Sequence, residues 1–517
     1  MANRLIGTLA GLCVCFAAGA QSGDFVAQAN NLYRTITPNL RSDSILLPVL
    51  ADLMPPPASI SSDRLRYVST SSKLWPDLEN WAMAAPQRAA LEAFARATED
   101  TKPLPMGFGL PYGASEAAPE LISAGLYVEL GDPPLLARAD FKYMPALDTL
   151  VYLTEVEVTR LADAGQFLEA FDVLRRRITF GRQMADREFI AEADWGIRTM
   201  IGALERMRDV AYVDFQSGKP VLTNADLINI IAQLNDDAGF LSVDRISFPE
   251  GERIAAEQVV ALTFANRGGA NDQFTRTMAA LGSSRFPLRL FSESGRWESL
   301  RPFHADWFDT TANIAKVAGD WKARWSLGAY DPQLITPQFI TRLDPRRDAA
   351  VIALYDAPYD DLVADRIALR TELKGTRTAL GILGYYYGQR TFPPSISAIR
   401  PRYVNVLDDD PMNKDRAFGK SPPFEYFVPN KVNAIPIGLR EEPRPHVINV
   451  VTSDKANFSV QIDSDQFILY SLGPDSAKDW ARNVREDIRA FFTGDYLIWP
   501  PVVSLHREHL RQAGQLP

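Results

Sequence analysis

A hydrophobic period of 3.6 residues between Pro145 and Asn235 is the feature that most restricts the fold of this chain. A period of this kind gives a helix one apolar face, which must be buried against another element. The segment therefore predicts packed helices rather than strands. The three apolar stripes are Leu147, Leu150, Val151, Val158 and Leu161; Phe167, Ala170, Phe171, Leu174 and Ile178; and Phe189, Ala193, Ile197, Met200 and Leu204.

The junction between the first two stripes reads Gly165-x-Phe167-x-x-Ala170. A glycine permits a tight turn there, while the ring and the small alanine let two helices pack closely. This spacing resembles the helix junction of a tetratricopeptide unit, but no repeat of that period follows. We therefore expect a plain helical hairpin rather than a repeat array, in a region whose surface binds a protein partner.

The first twenty residues have the pattern of a signal peptide. One positive charge, Arg4, precedes the apolar stretch Leu5–Phe16, and residues 18–20 read Ala-Gly-Ala, as a signal peptidase requires. We expect cleavage after Ala20 and a periplasmic or secreted protein. A lipoprotein would instead use Cys13 or Cys15, but bulky residues precede both.

Both cysteines lie inside that segment, so the remainder of the chain has none. Thiolate catalysis, zinc–thiolate sites and iron–sulfur clusters are therefore excluded for the mature chain. A net charge of −9 without a basic run argues against nucleic acid as a partner. No later segment has the roughly 18 uninterrupted apolar residues of a membrane-spanning helix, so we expect no membrane span in the mature chain.

We divide the chain into a signal peptide (1–20), an irregular and partly helical region (21–140), an α-helical region (141–345) and a C-terminal module (362–517). The second part should contain a helix from Pro76 to Ala97 and a loop over residues 102–120, which are rich in proline and glycine. Four tryptophans of the helical region could line a sugar site, but large aromatic side chains are mostly buried and a packing role is favoured. They are Trp297, Trp307, Trp321 and Trp325.

The C-terminal module begins with a long helix at Asp361–Gln389 and a short one at Ser395–Ile399. Alternating segments then predict strands at Phe424–Val428, Val447–Thr452, Phe458–Ile462, Phe467–Leu472 and Tyr496–Trp499. The expected fold class is α+β, mostly α, with helical hairpins followed by a long helix packed on a small antiparallel sheet.

Several short motifs follow one another in order along this module. They are Gly388 with Pro393, Asp410-Pro411, Gly419 with Pro422 and Tyr426, and Tyr470-Ser471-Leu472-Gly473-Pro474-Asp475. In this order they resemble the globular domain of the major pseudopilin of type II secretion. The resemblance covers residues 362–500 and implies a pseudopilin-like module behind the helical region of a secreted bacterial protein.

The long helix departs from that family, in which an apolar helix anchors the protein in the membrane and the filament. Here it carries five charged residues, each costing about 2.5–3.5 kcal/mol at the centre of a bilayer. The helix is therefore not expected to be a membrane anchor. The charged residues are Arg366, Arg370, Glu372, Lys374 and Arg377.

Three aspartates follow the last motif, and the resemblance implies that this loop holds calcium. Asp475 matches a ligand-bearing position of the family, and Asp479 and Asp495 are the nearest acids that could complete the site. Calcium takes carboxylate and carbonyl oxygens of this kind. The alternative is that Asp475 or Ser476 caps a helix, since the sequence over residues 476–488 also fits one.

No sequence motif identifies a catalytic site. His506 and His509 are three residues apart and could share a metal, but no third ligand is identifiable, and a solvated helix face is favoured. The sequence thus favours a non-enzymatic extracytoplasmic protein with a structural or protein-binding role, and the alternative is a secreted, glycan-acting hydrolase with a carboxylate pair in the helical region.

Overall fold

The computed structural model describes sixteen stretches of the chain, and residues 1–20, for which the sequence predicts a signal peptide, lie outside them. They are residues 22–58, 62–99, 104–234, 241–264, 268–283, 289–334, 336–415, 419–420, 422–429, 435–437, 440–442, 445–452, 457–473, 475, 477–486 and 494–517.

The first region consists of short helices whose apolar core is shared with the helical region, through residues such as Leu147, Phe180 and Ile254. The predicted helix Pro76–Ala97 is two helices, because Ala84 adopts an extended conformation (ψ 150°) and interrupts it. The predicted loop (102–120) is confirmed over residues 104–118, where Gly107 pairs with Arg41, but it ends earlier than expected because a helix, Pro119–Ser123, begins there. The elements are α1 Ser22–Ala29, α2 Asn31–Arg34, α3 Ser42–Leu50, α4 Ser62–Leu65, α5 Trp75–Met83, α6 Ala85–Ala97, α7 Pro119–Ser123, and the antiparallel pair β1 Val128–Glu129 and β2 Asp140–Phe141.

The helical region follows the predicted period closely. Every residue of the three stripes is buried except Val151, which is half-buried. Gly165 has φ +73° in the turn between the first two helices, as the sequence predicted. The elements are α8 Met144–Asp163, α9 Phe167–Ala185, α10 Ile190–Gln216, α11 Asn224–Gln233, α12 Gly251–Thr263, α13 Asp272–Gly282, α14 Leu290–Leu300, α15 Trp307–Trp325 and α16 Ala349–Leu354.

The C-terminal module has more strands than predicted. Two three-stranded sheets and a hairpin replace the single antiparallel sheet, with orders β10-β8-β3, β7-β6-β9 and β4-β5, and β9 runs parallel to β6. The elements are α17 Tyr359–Gln389, β3 Glu425–Phe427, β4 Ile435–Ile437, β5 Arg440–Glu442, β6 His446–Val451, β7 Asn457–Ile462, β8 Ile468–Ser471, β9 Asn483–Arg485, β10 Tyr496–Trp499 and α18 Val502–Gln512, with a short 3-10 turn at Ile396–Ile399.

The long helix α17 lies between the two halves of the fold. It packs against α10 and α11 on one side and against β8 and β10 on the other. Its approach to the sheet is close, since a Cβ added at Gly375 would lie 2.7 Å from Ile498 Cδ1. One hydrophobic core therefore runs from the helical hairpins through α17 to Trp499.

Candidate functional site

The charges on α17 serve as ion pairs inside the protein. Each of the five charged side chains that argued against a membrane anchor has an opposite charge beside it, and none of the described helices is both long and apolar enough to cross a bilayer. The pairs are Arg366 and Arg370 with Asp244, Glu372 with Arg208, Lys374 with Asp409, and Arg377 with Asp408.

Two of the C-terminal motifs meet at a buried aspartate. Asp410 accepts a hydrogen bond from the Ser471 hydroxyl at 2.8 Å and others from the amides of Met412 (2.9 Å) and Leu472 (3.2 Å). Burial raises the pKa of Asp410 to about 6, against the lowering effect of these donors. The Asp-Pro motif thus fixes the end of β8. The segment 473–495, which carries Asp475, Asp479 and Asp495 and which we call the acidic turn, begins there.

Two further motif residues also contact one another across the module. The Tyr426 hydroxyl donates to the Pro393 carbonyl at 2.8 Å, joining strand β3 to the segment after α17. Gly473 has φ +69°, and a Cβ there would lie 2.2 Å from the Gly494 carbonyl oxygen. The glycine is therefore required for the close approach of the two ends of the acidic turn.

The segment after Gly473 does not form the helix that the sequence suggested. Trp480 and Ala481 have positive φ values of 66° and 53°, and the chain continues directly into β9. The helix-capping interpretation of Asp475 is therefore wrong, because no helix follows it among the described residues; Ser476 lies outside them. Asp475 instead accepts from the amides of Ala477 and Gly494, each at 3.0 Å, and holds the turn closed.

The structure brings the three candidate ligands into this one turn. Asp495 Oδ2 accepts from the amides of Ala481 at 2.6 Å and Asp479 at 3.3 Å. Asp479 itself accepts from the Arg482 amide and the Asn483 side chain. Five of the six carboxylate oxygens therefore already accept hydrogen bonds.

The sixth oxygen, Asp495 Oδ1, is buried without a hydrogen-bond partner. Burial, together with the neighbouring carboxyl of Asp479, raises the pKa of Asp495 to about 8. In the described part of the chain no three His, Asp or Glu side chains are grouped closely enough to hold a metal. A calcium ion at this turn would have to share its oxygens with the amides and displace the proton of Asp495.

The two histidines of the C-terminal helix face aromatic rings. His506 is 2 % exposed and lies 4.4 Å from the Tyr67 ring centroid, while His509 stacks on Phe458 at 4.7 Å. The expectation of a solvated helix face is therefore wrong for His506, because its ring packs against the rings of Tyr67 and Phe458.

Two clefts among the described residues have acids but no tryptophan on their walls. A cleft of about 750 Å³ has Asp172 and Asp226 on its wall, but Asp172 binds two arginines and Asp226 forms a capping box with Thr223. Trp297, Trp321 and Trp325 are buried, as the packing interpretation predicted, and Trp307 is half-buried.

A smaller pocket of about 150 Å³ holds two acids, Glu155 and Glu205, among three arginines. Burial raises the pKa of Glu205 to about 7. Burial acts on Glu155 in the same direction, but Arg177 and Arg206 outweigh it and hold its pKa below the usual value. This divergence is the pattern of an acid–base pair, although both acids are ion-paired to arginine.

Sequence reasoning missed a buried ion pair where the helical region packs against the first region. Arg187 and Glu192 form an ion pair at 2.7 Å with side chains at most 1 % exposed. The Arg187 guanidinium lies over the rings of Tyr33 and Tyr112, and Glu192 accepts from the Tyr112 and Tyr143 hydroxyls. No linear spacing could have indicated it, because the five residues come from separate segments.

Exposed aromatic side chains accompany the helices α14 and α15. Phe291 is 88 % exposed at the start of α14, and Phe303 (64 %) and Phe308 (58 %) flank the connection to α15. Leu290 is also exposed. Isolated exposed apolar residues are ordinary, whereas contiguous exposed patches mark interaction sites. Four exposed apolar side chains within residues 290–308 make this segment the candidate for such a site. We call these four residues the aromatic surface.

A comparison with protein-family models, with curated proteins and with solved structures finds no match for this chain.

Proposed function

We propose that this chain is a non-enzymatic, extracytoplasmic protein that binds a protein partner through its helical region and carries a pseudopilin-like structural module. The observation that carries the proposal is the aromatic surface. Phenylalanine side chains in water are unfavourable, and their burial at an interface supplies most of the binding energy of typical protein complexes.

The interior supports a structural role. Several of its buried charges are held in ion pairs, among them Arg187 with Glu192 and Arg208 with Glu372, and the second pair joins α10 to α17. Side chains held in this way are preorganised for rigidity rather than for proton transfer. The motif contacts of Asp410 and Tyr426 support a pseudopilin-like arrangement of the C-terminal module.

The test is photo-crosslinking in the bacterium that encodes the protein. A photoreactive phenylalanine at position 291 should yield a defined crosslinked partner, and Phe303→Ser in the same chain should reduce it. Val221 is 60 % exposed but isolated, so the same probe there is the matched control. Equal crosslinking from both positions would overturn the proposal.

Export is tested on the same material. N-terminal sequencing of extracytoplasmic protein should begin at Gln21, and a chain that retains Met1 in the cytoplasm would contradict an extracytoplasmic role.

A glycan-acting hydrolase is the second candidate, favoured only by the diverging pKa values of Glu155 and Glu205. It predicts hydrolysis of a panel of oligosaccharides that Glu155→Gln and Glu205→Gln each abolish. The primary proposal predicts no turnover by the wild-type protein.

A further inference from the structure

Among the described residues, no strand pairs with the outer edge of β7. It pairs with β6 along all six of its residues, from Asn457 opposite Val451 to Ile462 opposite His446, and among the described strands it is the last in its sheet. Its sequence, NFSVQI, has no charge and no proline, and its register has no bulge. Natural edge strands usually carry one of these features to prevent pairing with another chain.

A cleft of about 900 Å³ runs along this edge. Four consecutive residues of the strand line it: Ser459, Val460, Gln461 and Ile462. Consecutive residues of a strand point to opposite faces of the sheet. What these four share is therefore the backbone edge, and the cleft gives access to the amide and carbonyl groups that no described strand pairs.

The opposite wall consists of the C-terminal end of α10 and one side of α18. It presents hydroxyl and amide groups, among them those of Tyr212, Gln216 and Gln512. The charges of this wall are largely occupied, since Arg507 binds Asp209 through two nitrogens and Arg511 binds Glu508. The cleft therefore has little net charge, and its wall combines these polar groups with apolar side chains such as Val213, Leu505 and Leu516.

We propose that this cleft binds an extended segment of a partner polypeptide, which adds to β7 as a further strand of the sheet. Such strand addition gains affinity from main-chain hydrogen bonds and selectivity from pockets for alternate side chains. Six paired residues would extend about 20 Å. The walls carry little net charge and expose both apolar and hydroxyl-bearing side chains, which suits a segment of β-branched and uncharged polar residues.

A single segment fits this cleft better than a second copy of the chain. The far wall is formed by two helices, and an approaching copy would bring its own α10 and α18 against them. The proposal shares with the proposed function only the general class of partner, since the aromatic surface belongs to other helices.

The test uses the full-length protein and a fluorescent peptide with the sequence of β6, HVINVV, which already pairs with the inner edge of β7 in the fold. We expect saturable binding, together with slower hydrogen exchange at residues 457–462. Two peptides N-methylated at alternate sets of residues distinguish the mode of binding. Methyl groups on the amides that face β7 should weaken the affinity of the peptide at least tenfold, because they block hydrogen bonds to the strand. Methyl groups on the amides that face away should have little effect.

Gln216→Trp should also weaken binding at least tenfold, because an exposed residue on the far wall then fills the cleft. Gln273→Trp, at an exposed position of α13, is the matched control and should bind normally. Phe303→Ser should also bind normally, which separates this result from that of the aromatic surface. Three results would each overturn the proposal. The first is an absence of saturable binding of the peptide, and the second is an equal loss of affinity in both methylated peptides. The third is a dimer that forms without binding the peptide and is lost in Gln216→Trp.

Discussion

Asp410 accepts a hydrogen bond from Ser471 across 61 residues of sequence, and with the Leu472 amide this fixes the end of β8. We expect Asp410→Ala to lower the free energy of unfolding by about 2–4 kcal/mol, because it leaves buried donors without an acceptor. Denaturant unfolding measures the change. Asp465→Ala, at an exposed position near β8, is the control and should remain within about 0.5 kcal/mol. Equal effects would show that the buried aspartate is not important.

The stability of the acidic turn should decrease as pH rises. Asp495 has a pKa of about 8 in the folded protein against an ordinary value of 3.8, so the native state binds a proton that the unfolded state has lost. Its contribution is full below pH ~4 and is lost progressively up to pH ~8. Asp495→Asn keeps an acceptor for the Ala481 amide and cannot ionise. We expect the free energy of unfolding of this variant to exceed that of the wild type by about 1–3 kcal/mol at pH 8, and the difference to disappear near pH 4. A difference independent of pH would contradict this assignment.

Calcium would compete with that proton. If the ion binds Asp475, Asp479 and Asp495 as proposed, millimolar calcium should raise the melting temperature more at pH 8 than at pH 5, because the carboxylate must be deprotonated to bind. Asp495→Asn should remove the effect and Asp475→Asn should reduce it. Magnesium at the same concentration controls for ionic strength. No difference between the two ions in the wild type would rule out a calcium site here.

The turn at Gly165 is sensitive to backbone conformation rather than to packing. Its φ is +73°, and a Cβ there would meet no atom within 4 Å. Gly165→Val should lower stability by about 1–2 kcal/mol through left-handed strain, whereas Gly165→Asn should cost less, because asparagine tolerates this region. Thermal unfolding of both variants distinguishes the causes. Equal losses would indicate steric crowding.

The Arg187–Glu192 pair should behave as one unit. Glu192→Gln leaves a buried guanidinium without its counter-charge and should cost about 3–5 kcal/mol. Adding Arg187→Met should recover part of that loss, which a double-mutant cycle measures. Glu116→Gln, which breaks the more exposed pair with Arg34, is the control and should cost less than about 1 kcal/mol. Additive losses would contradict a coupled pair.

The elements with a long, uninterrupted pattern could be predicted from sequence. The stripe of α17 predicted a helix from Asp361 to Gln389, and the observed helix begins two residues earlier, at Tyr359. Strand β10 was predicted at its observed bounds. The failures arose where local pattern and tertiary structure disagree. Residues 476–488 have a helix-like pattern, but Trp480 and Ala481 adopt left-handed backbone conformations. The sequence did not indicate these conformations, because neither position is a glycine.

The candidate sites were predicted less completely, for a physical reason. Asp475 was identifiable because it matches a ligand-bearing position of the family that the module resembles, and Asp479 and Asp495 are the nearest acids in sequence. The aromatic surface was not, because exposure depends on which face of a short helix meets the core. The cleft beside β7 is assembled from α10, α18 and a strand edge that are far apart in the chain.

The position of α17 also limits how this chain could exchange parts with others. A cut between residues 345 and 362 would separate α10 and α11 from the helix that covers their apolar faces. Each fragment would then expose apolar side chains that are buried in the intact protein. Arg208 would be in one fragment and Glu372 in the other, so each would lose its ion-pair partner. The C-terminal module is therefore not expected to fold when it is transferred to another protein on its own. Insertions of new sequence are best placed in the surface loops, because they leave the contact of α17 with α10 and α11 intact.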